Sequence, residues 1–215
     1  MNKSEKFWDK HVNEFDKDKE NKSYTDIKTV ENTNKYLNRS DIVLDYGCAT
    51  GTKALQIAGN VKKIYGIDIS SKMIEAAKRK TAERKIENAD FVQATIFDKR
   101  YDAKSFDVIL AFNILHFSED MQKVMKRINE LLKSGGLIIS VTACLGEKKT
   151  FLSIFISFSI FLLLKIGMLP YMRFFKVSEL EDFITHGDFQ IVETESMIYN
   201  HITIYFIAAK KIERT

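Results

Sequence analysis

The segment Ile42-Val43-Leu44-Asp45-Tyr46 is an apolar run too short for a helix, and it leads directly into Gly47-Cys48-Ala49-Thr50-Gly51. A strand buried on both faces reads this way, and the two glycines bound a turn into the helix expected from Thr52 to about Ala58. A second strand, Lys63 to Asp68, follows at once. Strand, turn, helix and strand in such close succession require a parallel sheet with crossover helices. The pattern continues with a helix from Ser70 to about Lys85, its inner face carrying Met73, Ile74 and Ala77, and with strands at Asp90–Ala94, Phe106–Phe112 and Leu137–Ala143. Between the last two, apolar residues at helical spacing predict a helix over Ser118–Leu132, which Gly135-Gly136 ends.

The flanks differ. Asn2–Lys22 is polar and partly helical, with Phe7, Trp8 and Phe15 as its apolar points, and Ile27, Val30 and Leu37 predict a helix over Tyr24–Asn38. Ser178-Glu179-Leu180-Glu181 is a capping-box pattern for a helix that stops at Gly187. The strands Phe189–Glu193 and Ile202–Ala209 then form an antiparallel hairpin at the sheet edge. A chain of 215 residues suits one domain: residues 1–38 an N-terminal helical lid, 39–146 the core, 147–177 an apolar insertion and 178–215 a closing helix and hairpin.

Composition narrows the function. Lys and Arg number 33 against 29 Asp and Glu, a scattered surplus of +4 that does not point to nucleic acid. The cluster Lys78, Arg79, Lys80, Arg84 and Lys85 reads as a solvated helix face. Cys48 and Cys144 fit neither a zinc nor a disulfide framework and imply a reducing compartment. The four histidines lack metal-ligand spacing, so no metal is expected. Met1 to Lys10 is charged and lacks the apolar core of a signal peptide, which points to the cytoplasm.

The glycine turn lies at the carboxyl end of the first strand, where open α/β sheets bind nucleotides. Asp68 ends the second strand 21 residues after Gly47, placed to accept hydrogen bonds from ribose hydroxyls. A dinucleotide fingerprint wants G-x-G-x-x-G, whereas this chain has G-x-x-x-G preceded by Asp45.

VLDYGCATGT, GIDIS, ADFVQATIFD, SFDVILAFNILHF and LLKSGGLIISV occur in that order. Over about Asp41–Lys210 they resemble the five motifs of class I S-adenosylmethionine-dependent methyltransferases of the small-molecule type. The resemblance implies a Rossmann-like, seven-stranded, mostly parallel sheet with an antiparallel C-terminal hairpin, helices on both faces and S-adenosyl-L-methionine as cofactor. It places the methionine part at Gly47, Cys48, Ala49 and Gly51, with Asp45 ordering that loop or meeting the amino group. Asp68 is then the ribose acid, Ile69 and Met73 flank the adenine, Thr95 and Ile96 hold it, and Asn113 lies near the methyl-donating end. Ala49 stands where the family carries its middle glycine, which narrows the pocket slightly. Independently of the resemblance, both cysteines read as small apolar filler.

Methyl transfer is an in-line displacement in which the protein mainly positions the acceptor and excludes water. A base is needed only where the acceptor loses a proton. His116, just past the fourth strand, is the candidate, with Tyr199 and His201 near the last hairpin as alternatives. The proline-proline-aromatic motif of base-amino methyltransferases is absent: the place reads Ala111-Phe112-Asn113-Ile114, and the one proline is Pro170.

Phe151–Leu164 (FLSIFISFSIFLLL) interrupts the fold with apolar side chains broken only by three serines. As a helix it is roughly 21 Å long, short of the roughly 30 Å bilayer core, and a span here would set strands of a single sheet on opposite sides of a membrane. Three placements stay open: a cap over an apolar acceptor pocket, a dip into a membrane surface through residues 151–169 that makes the chain peripheral at the inner face, or a homodimer contact. Lys165, Arg173 and Lys176 nearby suit anionic headgroups or an acidic substrate. The expected activity is S-adenosylmethionine-dependent methylation of a small apolar or amphipathic molecule. The alternatives are a membrane lipid or quinone methyltransferase, a non-catalytic cofactor-binding protein and, more remotely, a nicotinamide dehydrogenase.

Overall fold

The computed structural model describes residues 3–17, 23–147 and 150–212. Among these, seven strands form one sheet: β1 (Ile42–Tyr46), β2 (Lys63–Asp68), β3 (Ala89–Gln93), β4 (Phe106–Phe112), β5 (Leu132–Cys144), β6 (Phe189–Tyr199) and β7 (Ile202–Lys211). Their order is β3-β2-β1-β4-β5-β7-β6. The first five pair in parallel, and β7 runs antiparallel to both β5 and β6. The strand order therefore reverses between β1 and β4, which is where sheets of this kind carry their ligand crevice, beyond the carboxyl ends of the strands. Seven helices among the described residues accompany the sheet: α1 (Lys3–Lys17), α2 (Tyr24–Asn34), α3 (Thr52–Ile57), α4 (Ser71–Glu83), α5 (Met121–Leu131), α6 (Phe151–Lys165) and α7 (Val177–His186). This is the doubly wound architecture that the alternating pattern predicts.

One core lies on each face. Leu44, Ile67, Ile109 and Ile138 meet Met125, Ile128, Leu180 and Ile184 on one side. Val43, Ile64, Val108 and Ile139 meet Ala54, Leu55, Ile74 and Ala77 on the other. Alternate residues of a strand point to opposite faces, so a central strand buried on both must be apolar throughout, as the buried Val108-Ile109-Leu110-Ala111 of β4 is.

The structure corrects several expectations. Helix α2 ends at Asn34 rather than Asn38, and it buries Thr25, Thr29, Asn32 and Thr33 while Ile27 faces solvent. Thr29 and Thr33 donate to the carbonyls four residues earlier, which lets them pack as if apolar. Gly135-Gly136 does not precede β5 but lies within it. The strand starts at Leu132, and its register with β4 shifts between Phe106 and Val108. The first turn of α7 is satisfied by Glu179, which accepts from Lys176 N (2.9 Å), and by Glu147, which accepts from Val177 N (3.0 Å), so the helix opens at Val177 rather than Ser178. Strand β6 runs six residues beyond the expected Glu193, to Tyr199. Asn200 and His201, both at positive φ, make the two-residue hairpin turn. Residues 18–22 of the N-terminal segment expected as helix lie outside the described residues, as does the side chain of Phe15.

Helix α6 forms where the apolar run predicts it, but its faces are inverted. Ser153 and Ser157 are buried, whereas Phe151, Phe155, Phe158 and Leu162 point outward, Phe151 being 86% exposed. Among the described residues, no helix is long and apolar enough to cross a membrane.

Candidate functional site

The turn after β1 is held by β2. The amides of Gly47 and Cys48 both donate to Ile67 O (2.8 and 3.0 Å), and Gly51 N donates to Cys48 O (2.9 Å). Gly47 takes φ +74° and Gly51 φ +71°, left-handed values that glycine alone adopts without strain. Packing independently forbids a side chain at either position. A Cβ on Gly47 would stand 2.6–2.8 Å from Ile114, and one on Gly51 would stand 2.8 Å from Phe91. Ala49 also holds a positive φ, and its amide is tied by Asp68.

Asp68 links the turn to the next helix. One carboxylate oxygen accepts from Ala49 N (3.0 Å) and the other from Ser70 N (2.9 Å). A carboxylate offers about four lone-pair positions, so capacity is left for further donors. Burial raises its pKa, opposed by the amides of Ser70, Ala49 and Ile69, while the carboxylate of Asp9 adds to the rise. Asp45, two residues before Gly47, is buried. Its pKa is pushed up to about 7 by desolvation, eased by Lys53 and aggravated by Asp68. Burial, with these two acids, drives the Cys48 thiol well above its ordinary value, which disfavours the thiolate. Both cysteines are buried, and neither forms a disulfide among the described residues.

The remaining expected residues lie along the same end of the sheet. Ile69 and the buried Met73 begin the β2–α4 corner, where Ser70 caps α4 by accepting from Met73 N (3.1 Å). Thr95 is exposed on the turn after β3, but the Ile96 side chain is buried in the core, which leaves only its backbone for a ligand. Asn113 is exposed at φ +53°, its amide donating to Val141 O (2.7 Å). His116 follows on a short 3-10 turn, Leu115–Phe117, and is 4% exposed. Its Nδ1 has no hydrogen-bond partner among the described residues. Burial alone lowers its pKa to about 4, so the ring is neutral at physiological pH. Tyr199 and His201 lie at the exposed hairpin tip.

Three contributors escape the motif pattern. Lys80, read as one of a solvated face, is 2% exposed and reaches under the turn, where its Nζ meets Thr50 O (3.1 Å), Thr50 Oγ1 (2.6 Å) and Thr52 Oγ1 (2.9 Å). Its spacing of four and seven from the inward Ala76 and Met73 carried that signal in the sequence. Asp9 of α1 accepts from Ser70 Oγ (2.6 Å) and Lys72 N (3.3 Å), placing an anion at the N-terminus of α4. Trp8 packs edge-on against Phe117, 5.1 Å between centroids. Helix α1 thus reaches from the β2–α4 corner to the His116 turn.

The sequence profile of the family described as "Methyltransferase domain" matches residues 37–156. The chain belongs to this family. Ubiquinone biosynthesis O-methyltransferase from Coxiella burnetii is 25% identical over 170 residues, covering 79% of this chain and 72% of that protein. The crystal structure of the YcgJ protein of Bacillus subtilis superimposes with a TM-score of 0.71 at 17% identity, over 86% of this chain and 99% of that one. A SAM-dependent methyltransferase from Methanosarcina mazei gives 0.72 at 21%, over 85% and 97%. The methyltransferase therefore has the class I, Rossmann-like fold, with S-adenosylmethionine-dependent methyl transfer as its activity.

The donor set suits that cofactor. The methyltransferase offers a carboxylate with spare lone pairs at Asp68 for hydroxyls, a second acid at Asp45 for a cation, and a glycine turn that no side chain can fill.

Proposed function

We propose that this chain binds S-adenosyl-L-methionine between the Gly47–Gly51 turn, Asp68 and the roof formed by α1, and methylates a small apolar or amphipathic acceptor beside His116. The observation that carries the reading is the bracing of the turn by Asp68. One acid fixes both the loop expected to hold the amino-acid end and the corner expected to hold the nucleoside. Asp68 receives the ribose hydroxyls, and Asp45 faces the ammonium of the methionine moiety. Ile69 and Met73 flank the adenine, while the Thr95 hydroxyl and the Ile96 amide meet its edge. Asn113 lies by the sulfonium. When bound, the cofactor supplies a methyl carbon already activated for displacement.

The protein's own work is positioning and exclusion of water, which in favourable cases amounts to about 7–11 kcal/mol of the barrier. Helix α1 covers the crevice through Trp8 and Asp9. The strap after α6 is pinned where Arg173 N donates to His116 O (2.7 Å), while the Arg173 guanidinium stacks on Phe183 at 4.7 Å. His116 presents a neutral ring with an unsatisfied Nδ1, able to accept a hydrogen bond or proton from an acceptor hydroxyl. A pKa near 4 makes it a weak base until an oxyanion forms beside it, and that opposite charge raises it again. The acceptor class is supported by the Coxiella relative, whose name assigns it O-methylation in ubiquinone biosynthesis.

The test uses methyl-labelled S-adenosylmethionine, the purified chain and a cell extract, with products divided between organic solvent and water. Label in the organic phase, reduced in His116→Ala, is the expected result. Label in the aqueous phase alone refutes the apolar acceptor. Tight S-adenosylhomocysteine binding with no label in either phase turns the reading to a non-catalytic binding protein.

A further inference from the structure

Helix α6 shows the wrong face to water. Ser157 Oγ donates to Leu145 O (2.9 Å), which attaches the helix to the fold, while Ser153 closes the first turn with Thr150. Phe151, Phe155, Phe158 and Leu162 follow one another at intervals of four, three and four residues, which makes one outward stripe. Ile154, Phe161, Ile166, Met168 and Tyr171 extend it, each more than two-fifths exposed. The five exposed aromatic rings alone present roughly 600 Å², as much as the largest apolar patch of an ordinary monomer.

Within the segment the charge is of one sign, and the flanking acids Glu147 and Glu179 are engaged by the amides of Val177 and Lys176. From Thr150 to Ser178 there is no acidic residue, and the cations Lys165, Arg173 and Lys176 lie along the segment. Lys165 and Lys176 are exposed. Lys165 Nζ lies 5.4 Å from the Phe161 ring, so its stem covers an aromatic while its head stays at the rim. Lys3 of α1 reaches Gly167, and Lys6 and Lys10 continue that exposed basic face along α1. Glu5 and Asp9 of α1 turn instead toward Gln93 and Ser70.

We propose that α6 and the adjoining basic rim form a docking surface for an anionic lipid bilayer. The helix lies in the headgroup plane with its aromatic stripe inserted. Fifteen residues span about 22 Å, too short to cross and long enough to lie flat. Charge decides between a membrane and a second copy of the chain. A two-fold contact through this stripe brings two copies of the cationic rim of Lys165, Lys176 and Lys3 together, whereas a bilayer supplies phosphate anions to all of them. The anchor point, Leu145, directly follows β5 at the carboxyl end of the sheet, and the strap leads from α6 to His116. Docking therefore turns the crevice toward the bilayer. The surface stands on its own, and only its use in collecting a membrane-dissolved acceptor rests on the proposed function.

The experiment is co-sedimentation of the full chain with vesicles of phosphatidylglycerol and phosphatidylcholine in equal amounts, and with phosphatidylcholine alone, at rising salt. Wild type should pellet with the anionic vesicles, weakly with the neutral ones, and less as salt rises. Phe155→Ser with Phe158→Ser should abolish pelleting while melting at the wild-type temperature, since both side chains are exposed. Lys165→Gln with Lys176→Gln should lower the partition coefficient about thirtyfold, at about 1 kcal/mol per cation. Absence of wild-type pelleting overturns the proposal, as does equal binding to both vesicle types. A dimer in light scattering that the phenylalanine variant dissociates, without vesicle binding, assigns the stripe to a second copy instead. Calorimetry with S-adenosylhomocysteine on the same samples reads the methyltransferase site separately.

Discussion

Replacing Gly47 by alanine tests the geometry of the turn directly. The new Cβ would stand 2.6 Å from Ile114 Cγ1 and 2.8 Å from both Ile114 Cβ and Cδ1. Ile114 Cβ is fixed to the backbone, so no rotamer change relieves the contact and the main chain must move. Left-handed φ at a residue with a Cβ costs about 1–2 kcal/mol, and overpacking adds about 1–3 kcal/mol. Gly47→Ala should therefore lose roughly 2–5 kcal/mol in urea denaturation and weaken S-adenosylhomocysteine binding. Ile114→Ala removes the obstructing side chain at its own cost of about 2 kcal/mol or more. In the double variant the steric component disappears while the backbone strain stays, so the two losses should fall short of additivity by about 1–3 kcal/mol. Losses that add within about 0.5 kcal/mol would refute the assignment of Ile114 as the obstacle.

Three further outcomes follow from the site. Lys80→Met leaves the Thr50 carbonyl without its donor and should cost about 2–4 kcal/mol by denaturation, with a matching loss of cofactor affinity as the turn loosens. His116 is held at about 4 against 6.5 in the unfolded chain, so the unfolded state binds more protons between those values and stability rises with pH across that window, by about 3 kcal/mol; denaturation of His116→Asn over the same range should lack that rise. Asp9→Ala removes the anion at the α4 N-terminus and should speed S-adenosylhomocysteine dissociation in stopped flow, with a stability loss of about 1 kcal/mol.

The sheet was legible because parallel strands buried on both faces are bare apolar runs, and Val43-Leu44, Ile64 to Ile67 and Val108–Phe112 are such runs. The glycine turn and Asp68 were legible because their spacing is local. The structure departs from the pattern where polarity and burial separate. Thr29 and Thr33 satisfy their hydroxyls on their own helix and so occupy the inner face of α2, while Ile27 turns out. Lys80 is buried because three oxygens of the turn converge on it, a tertiary fact that a charge cluster hides. The orientation of α6 had no signal, since a helix apolar nearly all round has no face that periodicity can pick. Asp9 acts across 61 residues of sequence, on a contact no local pattern encodes.

Asp45 holds the folded chain short of its greatest stability. Its carboxyl ionises only near 7 when folded against 3.8 unfolded, so the native state keeps its proton longer and stability falls as pH rises through that window, by roughly 4 kcal/mol. Lys53 eases the charge from a distance but is itself paired at 2.6 Å with Asp26. A ligand ammonium beside Asp45 supplies the missing counter-charge, so binding should expel the proton. S-adenosylhomocysteine affinity should then rise as pH approaches about 7 and level off above it, with proton release visible as a buffer-dependent heat in calorimetry. Asp45→Asn should be the more stable protein at alkaline pH and bind the ligand more weakly, with no pH dependence below neutrality. An affinity in wild type that is flat across the acid side of neutrality would place the ammonium elsewhere and reduce Asp45 to a group that orders the turn.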